Sequence, residues 1–437
     1  MPPPRLLVLS NGHGEDLIAL RVLEALAERR PGLEVLVLPL VGEGRVFAAA
    51  EAAGALRRYG PRLPLPSGGF SNQSLRGLLR DLAAGLPLLS WKQWRLVRRW
   101  GQGGEPILAV GDLLPLLLAW AGGGRYGFIG TPKSDHTWAS PPPPGWGRTA
   151  LADAYHQLKG SEWDPWEWAL MGSGRCRLVA VRDELTAAGL RRHGVAASAP
   201  GNPMMDGLGH APLPAWLVGQ RRLLLLPGSR LPEALGNLER LLAALPALGP
   251  PTTVLLAAGS TPSAATMAAP LQRHGFAAAP IPIGSGAAAA WRRRQLRLLL
   301  GPGRFAEWAG WAEVGLATAG TATEQLVGLG VPALSLPGPG PQFKAGFARR
   351  QSRLLGGAVQ PCHSAAELGN RLAALLNDPA ERRRLGWIGQ VRMGAAGGSA
   401  RLAEAIATTL LDRAEERCPL PPPTVRSTAG RGSRPAG

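Results

Sequence analysis

Four short stretches of this 437-residue chain set glycine beside hydrogen-bonding or titratable side chains, the composition of a loop that meets a ligand. In SNGHGED (10–16), Gly12 and Gly14 let the backbone approach a ligand closely, and a following helix would turn its first N–H groups toward an anion or a polarised oxygen. His13 lies on the loop and not on an apolar face; an imidazole titrating near neutrality suits a general base. Asp16 is a further acid–base candidate there, with capping of the next helix as its simpler role. In PILAVGDLLP (106–115) an apolar run ends in Gly111 and Asp112, whose carboxylate can take a proton from a hydroxyl within reach, or cap a helix.

Two more such corners fall in the second half. In LLPGSR (225–230), Gly228 and Ser229 expose backbone donors and Arg230 can grip phosphate with two parallel hydrogen bonds. The Lys-Ser/Thr ending of a Walker loop is missing, which argues against nucleotide hydrolysis of that type. In AGTATEQ (319–325), Gly320 opens a helix start where Thr321 and Thr323 suit phosphate oxygens and Glu324 or Gln325 suits ribose hydroxyls, with an elaborate helix cap as the alternative. A fifth stretch, GTPKSDHTW (130–138), offers Lys133, Asp135 and His136 for the acceptor side, or forms a solvated loop.

The elements that would hold these corners alternate. RLLVLS (5–10) is a continuous apolar run bounded by a turn signal, hence a buried strand; Ile18, Val22, Ala25 and Leu26 then recur at helical spacing, and LEVLVLPL (33–40) is the next strand. Strand, loop, helix, strand implies a parallel sheet covered by helices. The pattern restarts with RRLLLLPGSR (221–230), a helix marked by Leu235, Leu238, Leu242 and Leu245, and TTVLLAAGS (252–260). Between the halves, GNPMMDGLGHAPLPAWLVGQ (201–220) is rich in Gly and Pro and weak in periodicity. The expected division is 1–206, a linker over 207–218, 219–416, and a basic Pro-rich tail over 417–437 too poor in apolar residues to fold. In open α/β sheets ligands bind beyond the carboxyl ends of strands, where all these corners lie.

Composition narrows the partners. Lys+Arg 48 against Asp+Glu 30 gives a formal +18 at pH 7, which favours something anionic: nucleic acid, phospholipid head groups or phosphorylated substrates. No basic run alternates with aromatics as in a nucleic-acid platform and no Cys/His finger spacing occurs, so specific nucleic-acid binding is not expected. Cys176, Cys362 and Cys418 are odd in number and widely spaced, which argues against a disulfide framework and fits a reducing cytosol. The apolar run near the N-terminus is too short for a signal-peptide core, and LLPLLLAWAGGG (113–124) falls short of the ~20 residues a bilayer span needs. A cytoplasmic protein, soluble or peripheral on the inner membrane face, is expected. LPLLSWKQWRLVRRW (86–100) mixes Leu86, Trp91 and Trp94 with Lys92, Arg95, Arg98 and Arg99 as an interfacial helix would, unless the tryptophans pack inside.

In this order and at this spacing the motifs make the chain resemble the lipid-A-disaccharide synthase family, and more narrowly a group described as related to that synthase. LLPGSRLPEALGNLERLLAA is similar to the family's LLPGSR strand-turn-helix, APGNPMMDGL resembles its GHPLLD crossing, and AGTATEQ resembles its SGTATLE; the likeness runs through most of residues 5–412. The resemblance implies an α/β fold of two Rossmann-like domains facing a cleft, the GT-B glycosyltransferase type, with the acceptor side in the first domain and the donor site in the second. It implies inverting transfer from a UDP-sugar, of the UDP-GlcNAc type, to a lipid or lipid-linked acceptor, with no metal or other cofactor. Arg230 would contact the donor diphosphate, Thr321, Thr323 and Glu324 or Gln325 would hold the nucleotide, and Asp112 falls at the family's candidate base on GxD. There are two departures. The family's GEASGD is here NGHGED, so Asp16 aligns while the leading glutamate does not, and His13 is new, resembling the loop base of the peptidoglycan glycosyltransferase acting on lipid I. The glutamate of the C-terminal motif falls one position early, so Glu324 and Gln325 compete for its role. A UDP-sugar epimerase and a non-catalytic nucleotide-sugar-binding partner subunit share the same signals.

Overall fold

The computed structural model describes residues 3–12, 14–61, 85–209, 211–245, 251–259, 261–338 and 343–412. His13 and the tail over 417–437 lie outside the described residues.

Two sheets are formed. The first contains β1 (Arg5–Ser10), β2 (Glu34–Pro39), β3 (Arg57–Arg58), β4 (Ile107–Gly111), β5 (Tyr126–Gly130), β6 (Cys176–Val181) and β7 (Ala197–Ser198), in the order β3-β2-β1-β4-β5-β6-β7, all pairs parallel. The second contains β8 (Arg221–Leu226), β9 (Thr252–Ala258), β10 (Ala277–Ala278), β11 (Ala289–Arg293), β12 (Leu296–Pro302), β13 (Val314–Ala317), β14 (Ala333–Ser335) and β15 (Val359–Pro361). Its order is β10-β11-β12-β9-β8-β13-β14-β15, parallel except where β11 pairs antiparallel with β10 and β12. Leu6 to Leu9 and Leu223 to Leu226 are buried on both faces, which is why those strands are unbroken apolar runs. Each sheet reverses its winding once, between β1 and β4 and between β8 and β13. These reversals open a crevice at the strand carboxyl ends.

Helices cover both faces of the first sheet. Helices Leu86–Gln102, Leu113–Ala121 and Pro165–Met171 bury Val97, Leu116, Ala119 and Met171 against one face. Helix Gly14–Arg29 buries Ile18, Val22 and Leu26 against the other. There the packing amends the expected domain division. Helix Gly398–Ala405 and the turn after it return from the second half and place Leu402, Ala403, Ile406 and Leu410 in the core of the first sheet. Periodic apolar residues beside helix Gly14–Arg29 supply the rest of that face, so residues 398–411 belong by packing with the first half. Asp206 holds the returning helix by accepting hydrogen bonds from the N–H groups of Gly398 (3.2 Å) and Ser399 (2.7 Å). Burial works against its charge, but these bonds prevail and keep its carboxyl below the ordinary range. Among the described residues no helix is long and apolar enough to cross a membrane.

Candidate active site at the domain cleft

The loop after β1 is built around Asp16. Its Oδ1 accepts from the Ser10 hydroxyl at 2.6 Å and the Gly12 N–H at 3.2 Å, and the side chain is buried, so Asp16 shapes the loop from beneath. Burial raises its pKa. Gly12 has φ +90°, and a Cβ there would also come within 3.1 Å of the Val41 carbonyl, so a side chain would be both strained and crowded. A Cβ on Gly14 would stand 3.4 Å from Thr321 Oγ1, which puts the corners after β1 and β13 face to face across the cleft.

Glu15, beside Asp16, is the titratable group that stands out. Burial, with further pushes from the charges of Asp112 and Asp16, raises its carboxyl to about 7. Its Oε1 lies 3.5 Å from Thr131 Oγ1, just past β5. Asp112 follows β4; its Oδ1 accepts from Asn11 Nδ2 (2.8 Å) and from the N–H of Leu114 (3.1 Å), capping helix Leu113–Ala121. Asn11, Glu15, Asp112 and Thr131 thus converge from the ends of three adjacent strands at the first winding reversal. The sequence reading identified Asp112 and overlooked the other three; adjacency of Glu15 to Asp16 was the one available signal.

Across the cleft, Thr321 is exposed at the start of helix Thr321–Gly328, whose leading N–H groups have no intrahelical carbonyl to serve. The turn is braced from behind: Gln351 Nε2 donates to the Gly320 carbonyl at 3.1 Å, and Thr323 Oγ1 donates to the Ala319 carbonyl at 2.7 Å from a fully buried position. The expectation that Glu324 or Gln325 takes ribose hydroxyls meets a different arrangement. Glu324 accepts from Arg182 Nη2 at 2.9 Å, and buried Gln325 donates through Nε2 to the Met204 carbonyl at 2.7 Å. Both side chains join the two halves of the molecule. Beside this corner, the loop after β8 turns at Gly228 (φ +97°), with its Pro227 carbonyl held by Asn237 Nδ2 at 3.0 Å. Ser229 is exposed; Arg230 is half-buried, and burial lowers its pKa while Glu233 opposes that shift.

Lys133, Asp135 and His136 have their polar partners elsewhere. Lys133 Nζ meets Glu167 Oε2 at 2.5 Å and lies 5.0 Å over the Trp163 ring. Asp135 Oδ1 accepts from the Glu162 N–H at 2.7 Å, and burial raises that carboxyl to about 6. His136 Nε2 is 4.0 Å from Asp183 Oδ1. Together they tie the segment after β5 to residues 162–186. That segment also clamps the second half: Arg353 reaches Asp153 (2.6 Å) and the Ser140 carbonyl (2.9 Å), Arg350 reaches Glu162 (2.6 Å), and Trp146 stacks on His363 with centroids 4.3 Å apart.

The remaining groups give no metal centre: among the described residues no cluster of three or more His, Cys, Asp or Glu is placed to hold an ion. The thiols of Cys176 and Cys362 are pushed up to about 12 by burial, which makes them poor nucleophiles.

No protein-family profile matches the chain, and no curated protein matches it in sequence. Solved structures match in fold. The calicheamicin glycosyltransferase CalG4 superposes with a TM-score of 0.58 at 16% identity, over 93% of this chain and 98% of that one. A putative UDP-N-acetylglucosamine 2-epimerase from Listeria monocytogenes gives 0.55 at 12% identity (93% and 96%), and Acinetobacter baumannii MurG gives 0.52 at 16% (93% and 99%). The chain is an α/β protein of two Rossmann-like, parallel-sheet domains, the GT-B type shared by those glycosyltransferases.

Proposed function

We propose that the protein is an inverting glycosyltransferase that moves a sugar from a UDP-sugar, of the UDP-GlcNAc type, to a hydroxyl of a lipid or lipid-linked acceptor. One observation carries the reading. Glu15, whose carboxyl burial raises to about 7, lies in the first turn of helix Gly14–Arg29, whose start faces the N-terminus of helix Thr321–Gly328, so a proton acceptor stands near a turn suited to an anion.

In this reading the donor diphosphate lies on the turn after β13 and against Arg230, whose positive charge and the helix N–H groups stabilise the charge on the departing UDP. The acceptor hydroxyl enters from the loops after β1 and β4. Glu15 takes its proton as the oxygen attacks the anomeric carbon from the face opposite the leaving diphosphate, which inverts that carbon. Asp112 positions the loop through Asn11 and the start of helix Leu113–Ala121, and is the second candidate for the proton; His13 of the NGHGED stretch is the third. Lys133, Asp135 and His136 shape the acceptor side.

Calorimetric titration with UDP, UDP-GlcNAc and other nucleotide sugars tests the reading. Saturable binding with UDP as the common requirement supports it, and absence of binding to every nucleotide removes it. A UDP-sugar epimerase would use the same donor corner, a reading favoured by the comparable match to the putative 2-epimerase. It is distinguished by turnover of the donor with no acceptor present.

A further inference from the structure

Helices Leu86–Gln102, Leu113–Ala121 and Pro165–Met171 lie side by side on one face of the first sheet, with Leu113–Ala121 in the middle. Their inward residues form the core, and their outward residues are unusually apolar. Leu88 is 55% exposed, Trp91 47%, Leu117 42% and Trp166 56%. The sequence question about Leu86, Trp91 and Trp94 therefore divides: Trp91 faces out, while Leu86 and Trp94 are half-buried. The exposed charge on these three helices has one sign. Helix Leu86–Gln102 contains no acidic residue and presents Lys92, Arg95, Arg98 and Arg99 outward; helix Leu113–Ala121 has no charged residue; Glu167 of the third helix is fully buried against Lys133. Arg95 lies 4.6 Å over the Trp91 ring and Arg98 5.5 Å over the Trp94 ring, so long cationic side chains spread across aromatic surface, and among the described residues neither forms an ion pair with a carboxylate. Beside them a groove of about 620 Å³ is walled by Trp91, Lys92, Arg95, Arg99 and Trp100, with Glu105 at its rim.

Direction along the helices matters. Gln93 Nε2 donates to the Leu40 carbonyl just beyond β2, while Trp100 Nε1 donates to the Pro106 carbonyl just before β4, so helix Leu86–Gln102 starts at the cleft end of the sheet and runs away from it. Helix Leu113–Ala121 starts at Asp112 and runs the same way. Leu88 and Leu114 are therefore near the cleft rim, and the cations of the first helix lie further down.

We infer that this three-helix face docks on a bilayer containing anionic phospholipids, with Leu88, Trp91, Leu117 and Trp166 entering the head-group boundary and Arg95 and Arg99 taking lipid phosphates in the groove. Exposed tryptophan and leucine beside exposed arginine match an interface that is apolar within and anionic at its surface. Binding to the bilayer rests on this face alone. Delivery of a lipid-linked acceptor past Leu114 to Asp112 and Glu15 rests on the transferase reading above.

The full chain is floated with vesicles of phosphatidylcholine alone and of phosphatidylcholine with about 30% phosphatidylglycerol, a fraction chosen to give an anionic surface. Co-flotation with the anionic vesicles, weakened by salt and accompanied by a blue shift of tryptophan emission, is expected. Arg95→Glu/Arg99→Glu should weaken it at least about tenfold, since each basic residue near the surface contributes on the order of 1 kcal/mol. Leu117→Ser/Trp166→Ser should weaken flotation and reduce the emission shift, leaving the part that comes from Trp91. Both variants are checked for retained UDP binding and circular dichroism. Vesicle binding that these folded variants leave unchanged overturns the proposal, as does failure of the parent chain to float. Light scattering that shows the face occupied by a second copy, or equal binding to a single-stranded RNA, overturns it too. Vesicle binding without nucleotide binding would retire the transferase reading and leave the docking face standing; the reverse would do the opposite.

Discussion

The guanidinium of Arg182, one residue past β6 of the first sheet, holds the carboxylate of Glu324, in the first turn of helix Thr321–Gly328 of the second sheet, at 2.9 Å. Side-chain exposures of 8% and 13% make this a largely desolvated pair, and it sits beside the turn where the two halves meet. Arg182→Ala leaves Glu324 charged without its partner and should cost on the order of 3 kcal/mol. Arg182→Ala/Glu324→Gln should recover most of that loss. Urea denaturation of the two single variants and the double variant reads the coupling; strictly additive losses would show that the pair does not tie the halves together.

Glu15 should give the protein a pH signature. A carboxyl raised from 4.5 in the unfolded chain to about 7 in the folded one makes the folded state the better proton binder between those values. The contribution is therefore complete below about 4.5 and is lost as pH rises from there through 7, by on the order of 3 kcal/mol for a shift of this size. Glu15→Gln should flatten this decline. An unchanged slope of stability between pH 5 and 8 (about the range in which such a group titrates) would place the carboxyl's titration elsewhere.

The same group sets the expected rate profile. With Glu15 as proton acceptor, kcat/KM should fall below about pH 7, as protonation removes the base. Glu15→Gln should lower turnover by about 10² to 10⁴ with UDP affinity kept. Asp112→Asn and His13→Ala, assayed beside it, separate the three candidates, and transfer at parental rate in all three would dismiss this loop pair as the source of the base.

Arg230→Ala addresses the other half of the cleft. Loss of one charge-assisted contact should weaken UDP binding by roughly 1.5–3 kcal/mol. Calorimetry showing the parental affinity in this variant would remove Arg230 from the donor site.

The parts of the molecule that the sequence made legible are those whose signal is local. RLLVLS and RRLLLLPGSR announce β1 and β8 because strands buried on both faces must be apolar throughout, and the glycine corners after them fall at the strand ends where a parallel sheet exposes its loops. What stayed hidden depends on partners far along the chain. The proton affinity of Glu15 comes from its burial and from the charge of Asp112, roughly a hundred residues away, which no window around NGHGED contains. Glu324 and Gln325 read as ligand groups because AGTATEQ shows what they can bond and says nothing of Arg182 or the Met204 carbonyl waiting across the junction. Lys133, Asp135 and His136 are alike in this, since their partners in 162–186 come from a later excursion of the chain that GTPKSDHTW does not show.

The return of helix Gly398–Ala405 bears on how the protein is made. Leu402, Ile406 and Leu410 are nearly or wholly inaccessible in a core whose other members are already present by Leu178 and Ala180. During synthesis the first domain therefore emerges with the face covered by helix Gly14–Arg29 only partly closed, and it stays so while about two hundred further residues leave the ribosome in the N-to-C direction. Its burial is finished by the far side of the second domain, so the domain made first is the one completed last.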